Sequence, residues 1–527
     1  MSAAPRVLWW ALVAAVLTLT VSLRVNLGRP LTTDEASYAR AAEQGFLANW
    51  LDAPGLRKMR HEHPPLVTFL QMASLEVLGR DEVALRAPSV VFGALTVLVL
   101  MAGFRWAAPE VPAWTAALAA ILLAVYPAHV YASQWGSWHA ALVLVFAATA
   151  LAAVRAFRRL ETGTLLVAFA GVALGFAVME YALLLLATLL VALALRPNPW
   201  LWIARGPRVQ VTRPVRLGLA LIPLVVGVTW LAGILKLSLV RNLVHYLGYL
   251  EHPVYWRGAT VPDAPPIAYV DWYVQQMPAY LGLFMLETVA VVALVASRRW
   301  DVTHTSFPAV ALFGIALGAL LVGHVLDTVY TVYFGLAALL LLPFLIAEAL
   351  AAARRARRVF ALRGVTIAAV TGTAAVALPT VPYAATVAIP GATGYREAAE
   401  TLLEATEAAR GERPRVLAFY SPIVEWYDPR LDVDRYPRGD LPPELLERLA
   451  SGEYEYVLFH SAQVQRWPGD PGLAWARAHA RLVLHRADRW GELWLYRVAD
   501  PAPGRPVVVD GGDGTRPGGP KPKAREP

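Results

Sequence analysis

The chain contains no cysteine, which excludes disulfides, thiolate metal sites and a cysteine nucleophile. It is also poor in charge: Asp, Glu, Lys and Arg make up 16% of its 527 residues, against roughly 25% in a soluble globular chain. Neither a P-loop nor a dinucleotide fingerprint occurs, so no nucleotide cofactor is expected. The net charge of +8 and a pI near 9.6 do not come from one basic patch. Lys and Arg collect instead in short loops between apolar blocks, which argues against nucleic acid as a partner.

Apolar residues are abundant, at 57% with a mean hydropathy of +0.47. They fall in blocks long enough to cross about 30 Å of hydrocarbon, which takes roughly 20 residues at helical rise. The pattern predicts about eleven spans, near 7–27, 84–104, 112–130, 137–154, 163–179, 181–196, 216–237, 279–297, 307–325, 331–350 and 363–382. The first apolar run, Val7–Leu23, has no small-residue cleavage site before Arg24 and is read as an uncleaved span. The run from Thr162 to Leu195 is too long for one helix and is divided near Glu180, whose charge suits an interface better than hydrocarbon.

Positive charge orients these spans. Arg155, Arg158 and Arg159 follow the fourth; Arg196, Arg205, Arg208, Arg213 and Arg216 follow the sixth. Arg298 and Arg299 follow the eighth, and Arg354, Arg355, Arg357, Arg358 and Arg363 the tenth. The alternate loops Tyr126–Trp138 and Leu326–Tyr330 have neither Lys nor Arg. By the positive-inside rule the N-terminus is cytoplasmic, and an odd number of spans sends the C-terminal region outside.

The expected organisation is an all-α polytopic membrane domain over 1–382, followed by a small extracytoplasmic α/β domain over 391–500. In the latter, Tyr395–Arg410 reads as an amphipathic helix, and Arg415–Tyr420, Tyr454–His460, Arg481–His485 and Leu493–Val498 read as strands. The Gly/Pro-rich tail 501–527 reads as disordered. Two long loops share the outer face, 28–83 and 238–278. In the first, Asp34–Trp50 reads as an interfacial helix capped by Thr33 or Asp34.

That first loop carries the best chemistry. It holds Thr32-Thr33-Asp34-Glu35 and, further on, His61-Glu62-His63-Pro64-Pro65-Leu66. Adjacent carboxylates supply a general base and a second acceptor or ligand, although an Asp-Glu pair opening a helix is more often a cap. The histidines and Glu62 can bind phosphate or a divalent metal ion, and Pro64-Pro65 ends any helix arriving from Arg60.

The order of a span, Asp-Glu, a helix, His-Pro-Pro-Leu and then Leu85–Gly93 (LRAPSVVFG) resembles the GT-C glycosyltransferases. The similar branch contains the protein O-mannosyltransferase-like and lipid A aminoarabinose-transferase-like enzymes, and the motifs cover roughly the first 140 residues. The resemblance implies inverting transfer of one sugar from a polyprenyl-phosphate carrier to an extracytoplasmic acceptor: a protein, a glycolipid or an envelope polysaccharide. It assigns Asp34 as the base with Glu35 as its partner. His61, Glu62, His63 and Arg86 become donor-phosphate or metal contacts, with Glu62 and His63 the donors to a metal. His63 stands where aminoarabinose transferases often have lysine, and a neutral histidine holds phosphate less strongly. In the loop Ser133–His139 the family's arginine and aspartate are missing, and His139 lies near their place. His139, Arg241 and His245 are candidate substrate contacts. Localisation in the plasma membrane follows. Two other readings compete: a transporter or flippase for a lipid-linked sugar, and a catalytically silent envelope-assembly protein.

Overall fold

The computed structural model describes residues 3–24, 27–43, 66–195, 198–203, 209–229, 255–256, 259–260, 274, 277–296, 303–322, 325–326, 331–357, 359–386, 393–408, 413–437, 441–466, 469–488 and 491–498. The chain is mostly helical and divides into two compact units. One comprises Met1–Arg29 with Ser37–Ile389; the other comprises Pro30–Ala36 with Pro390–Pro527.

The first unit is built from apolar helices, as runs of Ala, Leu and Val require when backbone polar groups must be satisfied within each segment. Among the described residues, four helices are long and apolar enough to cross a membrane: Glu82–Ala107, His139–Arg159, Thr331–Arg355 and Val359–Ala385. A bent pair, Ala113–Val125 and Pro127–Gln134, makes a fifth if counted as one span. Shorter apolar helices include Val7–Ser22, Thr162–Val178, Leu183–Leu195, Pro278–Leu294 and Phe307–Gly318. The division near Glu180 is real: Met179 is extended and a single 3-10 turn, Glu180–Ala182, separates two helices.

The span expected over 112–130 is bent. The helix stops at Tyr126, which turns to φ −67° and ψ 116°, and restarts at Pro127 after a 61° bend. Pro127 offers no N–H to continue the ladder and biases the residue before it away from helical backbone. The loop expected over Tyr126–Trp138 therefore contains a buried helix.

Helix His139–Arg159 packs between Glu82–Ala107 and Thr162–Val178. Small residues allow such close approach, since helix association inside a bilayer depends on van der Waals packing. At Gly335 a Cβ would lie 2.4 Å from the Tyr126 ring, so no larger residue fits without displacing it. At one end of this bundle Arg155 pairs with Glu161 at 3.1 Å and lies over the Trp106 ring, while Arg158 pairs with Glu110.

Two small sheets also belong to this unit: an antiparallel pair of β1 (Leu201–Ile203) and β2 (Val209–Val211), and a three-stranded sheet of β3 (Tyr255–Trp256), β4 (Ala259–Thr260) and β5 (Val325–Leu326). The second unit has a five-stranded mixed sheet. Its strands are β6 (Arg415–Ala418), β7 (Asp432–Arg435), β8 (Tyr456–His460), β9 (Arg481–Asp488) and β10 (Gly491–Arg497), in the order β7-β6-β8-β10-β9. The first three neighbours run parallel, and the β9–β10 hairpin adds antiparallel strands. Four of these strands coincide with expected ones; β7, with the polar sequence DVDR, was not expected. Helix Tyr395–Ala408 opens after Gly394, which needs its φ of +75° and has Arg486 and Leu493 too close for a side chain. The tail 501–527 lies outside the described residues.

Candidate active site

The acidic turn belongs to the second unit. Helix Thr33–Glu43 begins one residue earlier than the sequence reading placed it, because Thr32 is the N-cap. The Thr32 hydroxyl accepts the Glu35 N–H at 3.1 Å, and a Glu35 carboxylate oxygen accepts the Thr32 N–H at 2.9 Å. This is a reciprocal capping box, which fits Thr-x-x-Glu at a helix start. Glu35 is fully buried, whereas Asp34 beside it is exposed. Two neighbouring acids thus have different situations. Glu35 closes the turn, and Asp34, at the positive end of the helix, presents its carboxylate outward where an anion is favoured. The Leu31 N–H donates to the Tyr427 hydroxyl at 3.4 Å within the same unit.

In the first unit, the chain leaving the first helix runs through a polar collar. Arg24 is buried; its Nη1 donates to the carbonyls of Thr20 at 2.5 Å and Ala124 at 3.3 Å, and its Nη2 to His129 Nδ1 at 2.8 Å. Gln134 donates from Nε2 to the Leu23 carbonyl at 2.7 Å, and Arg29 Nη2 donates to the Gln134 carbonyl at 3.1 Å. Arg86, also fully buried, donates from Nη1 to the carbonyls of Leu27 and Arg29, the second at 2.7 Å. Arg86 thus holds the backbone that precedes the acidic turn.

His139 starts helix His139–Arg159 and is buried, with Nδ1 3.1 Å from the Tyr333 hydroxyl. Its ring lies against Trp138 and stacks on Trp135, and Tyr181 stacks on both Trp138 and Tyr333. This aromatic packing gives Tyr333 a structural part.

His61, Glu62, His63, Arg241 and His245 lie outside the described residues. Among the described residues no group of three His, Asp or Glu side chains could hold a metal ion. Sequence reasoning missed Arg24, Arg29, His129 and Gln134. The one local signal was a cation at the end of an apolar run, where a charge needs specific partners to be buried.

Residues 62–230 match the family model described as dolichyl-phosphate-mannose-protein mannosyltransferase. No curated protein matches the sequence. Among solved structures, ArnT from Cupriavidus metallidurans in the apo state is similar with a TM-score of 0.60, at 15% identity over 96% of this chain and 100% of that one. The same protein bound to undecaprenyl phosphate gives 0.54, at 14% identity over 96% and 100%. The archaeal oligosaccharyltransferase AglB from Archaeoglobus fulgidus, in complex with an inhibitory peptide and a dolichol-phosphate, gives 0.55, at 13% identity over 94% of this chain and 75% of that one. The structural likeness is one of fold and runs along nearly the whole chain. The family match covers the spans that follow the acidic turn, and with the structural likeness it makes this chain similar in fold to the protein O-mannosyltransferase-like and aminoarabinose-transferase-like GT-C glycosyltransferases.

Proposed function

We propose that the protein transfers a single sugar from a polyprenyl-phosphate carrier to an extracytoplasmic acceptor, with inversion at the anomeric carbon and Asp34 as the base. The observation that carries this reading is the division of labour at the acidic turn: Glu35 is buried in the capping box, and Asp34 is held exposed beside it. A lipid-linked donor is supported by the similar proteins, one bound to undecaprenyl phosphate and another to a dolichol-phosphate with an inhibitory peptide.

In this reading the acceptor hydroxyl gives its proton to the Asp34 carboxylate while its oxygen attacks the anomeric carbon from the face opposite the phosphate. The bond from that carbon to the phosphate oxygen breaks, and polyprenyl phosphate leaves with the electron pair. Cationic groups need only stabilise the charge growing on that phosphate. His61, His63 and Arg86 are proposed for that place; a divalent ion held by Glu62 and His63 would do the same work. Arg86 also contributes by fixing Leu27 and Arg29, and His139, Arg241 and His245 remain proposed substrate contacts. The proposed topology has eleven spans, a cytoplasmic N-terminus and the sheet-bearing unit outside the plasma membrane, where it would meet the acceptor.

The test is glycan analysis of a strain lacking the protein, complemented with the wild type or with Asp34→Asn. A glycan lost in the deletion should return with the wild type and stay absent with the variant at equal membrane abundance. Return of the glycan with Asp34→Asn would overturn Asp34 as base; an unchanged glycan profile in the deletion would overturn the transfer itself.

A further inference from the structure

We infer that Tyr427 is a positioning residue for the Asp34 turn, so that the sheet-bearing unit takes part in transfer by holding the base. The inference rests on the reading of Asp34 given above. Its structural basis is that Pro30–Ala36 belongs to the same compact unit as the C-terminal sheet, although more than 350 residues lie between them in the chain.

Leu31 is fully buried, and a buried backbone N–H needs an acceptor. The acceptor here is the Tyr427 hydroxyl, 396 residues away in sequence. The next residue, Thr32, is the N-cap that joins Glu35 in the capping box, and Asp34 lies between them. A bond at Leu31 therefore fixes the chain one residue before the turn that presents Asp34.

Tyr427 is itself preset. It ends the short helix Ser421–Tyr427, which begins after Tyr420 in left-handed backbone at φ 59° and has Pro422 in its first turn. Asp428 follows, buried, and accepts from the backbone N–H and the guanidinium of Arg430, which clamps the helix end. The guanidinium of Arg396, from helix Tyr395–Ala408, lies 5.6 Å from the Tyr427 ring centre. A cation over the ring face holds the ring in place at little entropic cost to the hydroxyl. A base displaced by about 1 Å can lose on the order of a hundredfold in rate, so a distant hydroxyl can matter to catalysis.

The experiment measures hydrogen exchange on the full chain in detergent, for wild type and Tyr427→Phe, with Ser451→Ala as a control that removes an exposed hydroxyl elsewhere in the same unit. Tyr427→Phe should speed exchange over residues 31–36 by about tenfold, the loss of roughly one net hydrogen bond. Peptides from β6 and β8 should be unchanged in that variant, and residues 31–36 should be unchanged in the control. Complementation of the deletion strain should then restore the missing glycan about 10- to 100-fold more slowly with Tyr427→Phe than with wild type. Wild-type exchange over 31–36 in Tyr427→Phe overturns the tether whatever Asp34→Asn does. Faster exchange with full glycan restoration, where Asp34→Asn restores none, overturns its part in transfer. Full restoration by Asp34→Asn overturns the role of Asp34 alone and leaves the tether standing on the exchange result.

Discussion

Glu35 provides the sharpest test, because its two possible roles respond oppositely to one conservative change. As a capping-box residue it needs only an oxygen that accepts the Thr32 N–H at 2.9 Å; as a chemical partner of Asp34 it needs a carboxylate. Glu35→Gln keeps an amide oxygen in that place and removes the charge. The lost charge–dipole attraction at a helix N-terminus is worth about 0.3–1 kcal/mol, which corresponds to roughly a two- to fivefold fall in rate. Glu35→Ala removes the acceptor as well. A lost cap costs about 0.5–2 kcal/mol, or up to roughly 30-fold. These are upper limits, because a turn that is fully formed absorbs part of the loss before the population of correctly placed Asp34 falls. Asp34→Asn, by removing the base, should cost on the order of 10²–10⁴. The assay is the initial rate of polyprenyl-phosphate release in proteoliposomes, with helix formation followed by hydrogen exchange over residues 32–43. The order of activity should be wild type, then Glu35→Gln, then Glu35→Ala, with Asp34→Asn far below. If Glu35→Gln falls as low as Asp34→Asn while exchange over the turn is unchanged, the capping account is wrong and Glu35 is part of the chemistry.

Three further outcomes follow from the described bonds. Arg24→Met leaves the Thr20 and Ala124 carbonyls and His129 Nδ1 without the donor that now serves them; it should lower stability by about 2–4 kcal/mol, read as thermal melting in detergent, and melting at or above the wild-type temperature would refute it. In the sheet-bearing unit the buried Asp470 carboxylate accepts from the Tyr436 hydroxyl at 2.7 Å, from Gln463 and from the Gly472 N–H. Tyr436→Phe should therefore cost about 1.5–3 kcal/mol, seen as faster exchange around Pro471–His479, and no change there would refute it. His460, ringed by Tyr395 and Tyr420, is held down to about 4 by burial, with Asp488 opposing the shift from its ordinary 6.5. Between those values the unfolded chain takes up a proton that the folded one resists, so stability is complete above about pH 6.5 and declines toward pH 4 by on the order of 3 kcal/mol. Exchange of β8, corrected for its intrinsic pH dependence, should show that decline in wild type and lose it in His460→Gln; an equal decline in both would exclude His460 as its source.

The placement of helices was legible because it depends on run length: a segment with roughly 20 apolar residues has few alternatives once its backbone must satisfy itself. The break at Tyr126 was legible in principle, since Pro127 restricts its predecessor, but hydropathy averages over it. The acidic turn was partly read, with its acids identified and its cap placed one or two residues late. The collar was not legible at all. Arg24 meets His129 across 105 positions and Arg86 meets Arg29 across 57, and no local pattern encodes such pairing. Strand β7 was missed for a related reason: Asp432–Arg435 lacks apolar alternation and is a strand because β6 offers it a parallel ladder at the sheet edge.

The collar also explains how cations can be buried among apolar helices here. An arginine in such surroundings is costly unless paired, and pairing with a carboxylate often fails to repay the desolvation of both groups. None of the described partners of Arg24 is a carboxylate. The Thr20 carbonyl is at the C-terminal end of helix Ala3–Ser22, and the Ala124 carbonyl at that of helix Ala113–Val125, just before the break at Tyr126. Carbonyls in the last turn of a helix lack intrahelical donors and together carry about half a negative charge per helix end. Two such ends supply Arg24 with the countercharge of roughly one carboxylate, already desolvated by the fold. The bend at Pro127 is thus more than a defect in a span: by ending one helix early it exposes the carbonyls that receive Arg24. It also places His129 and Gln134 on the short helix that follows, from which they bind Arg24 and the Leu23 carbonyl. Substituting Pro127 by Ala should therefore weaken the hold on residues 23–29 without touching any of them, seen as faster exchange there. Unchanged exchange in that variant would mean that the collar does not depend on the break.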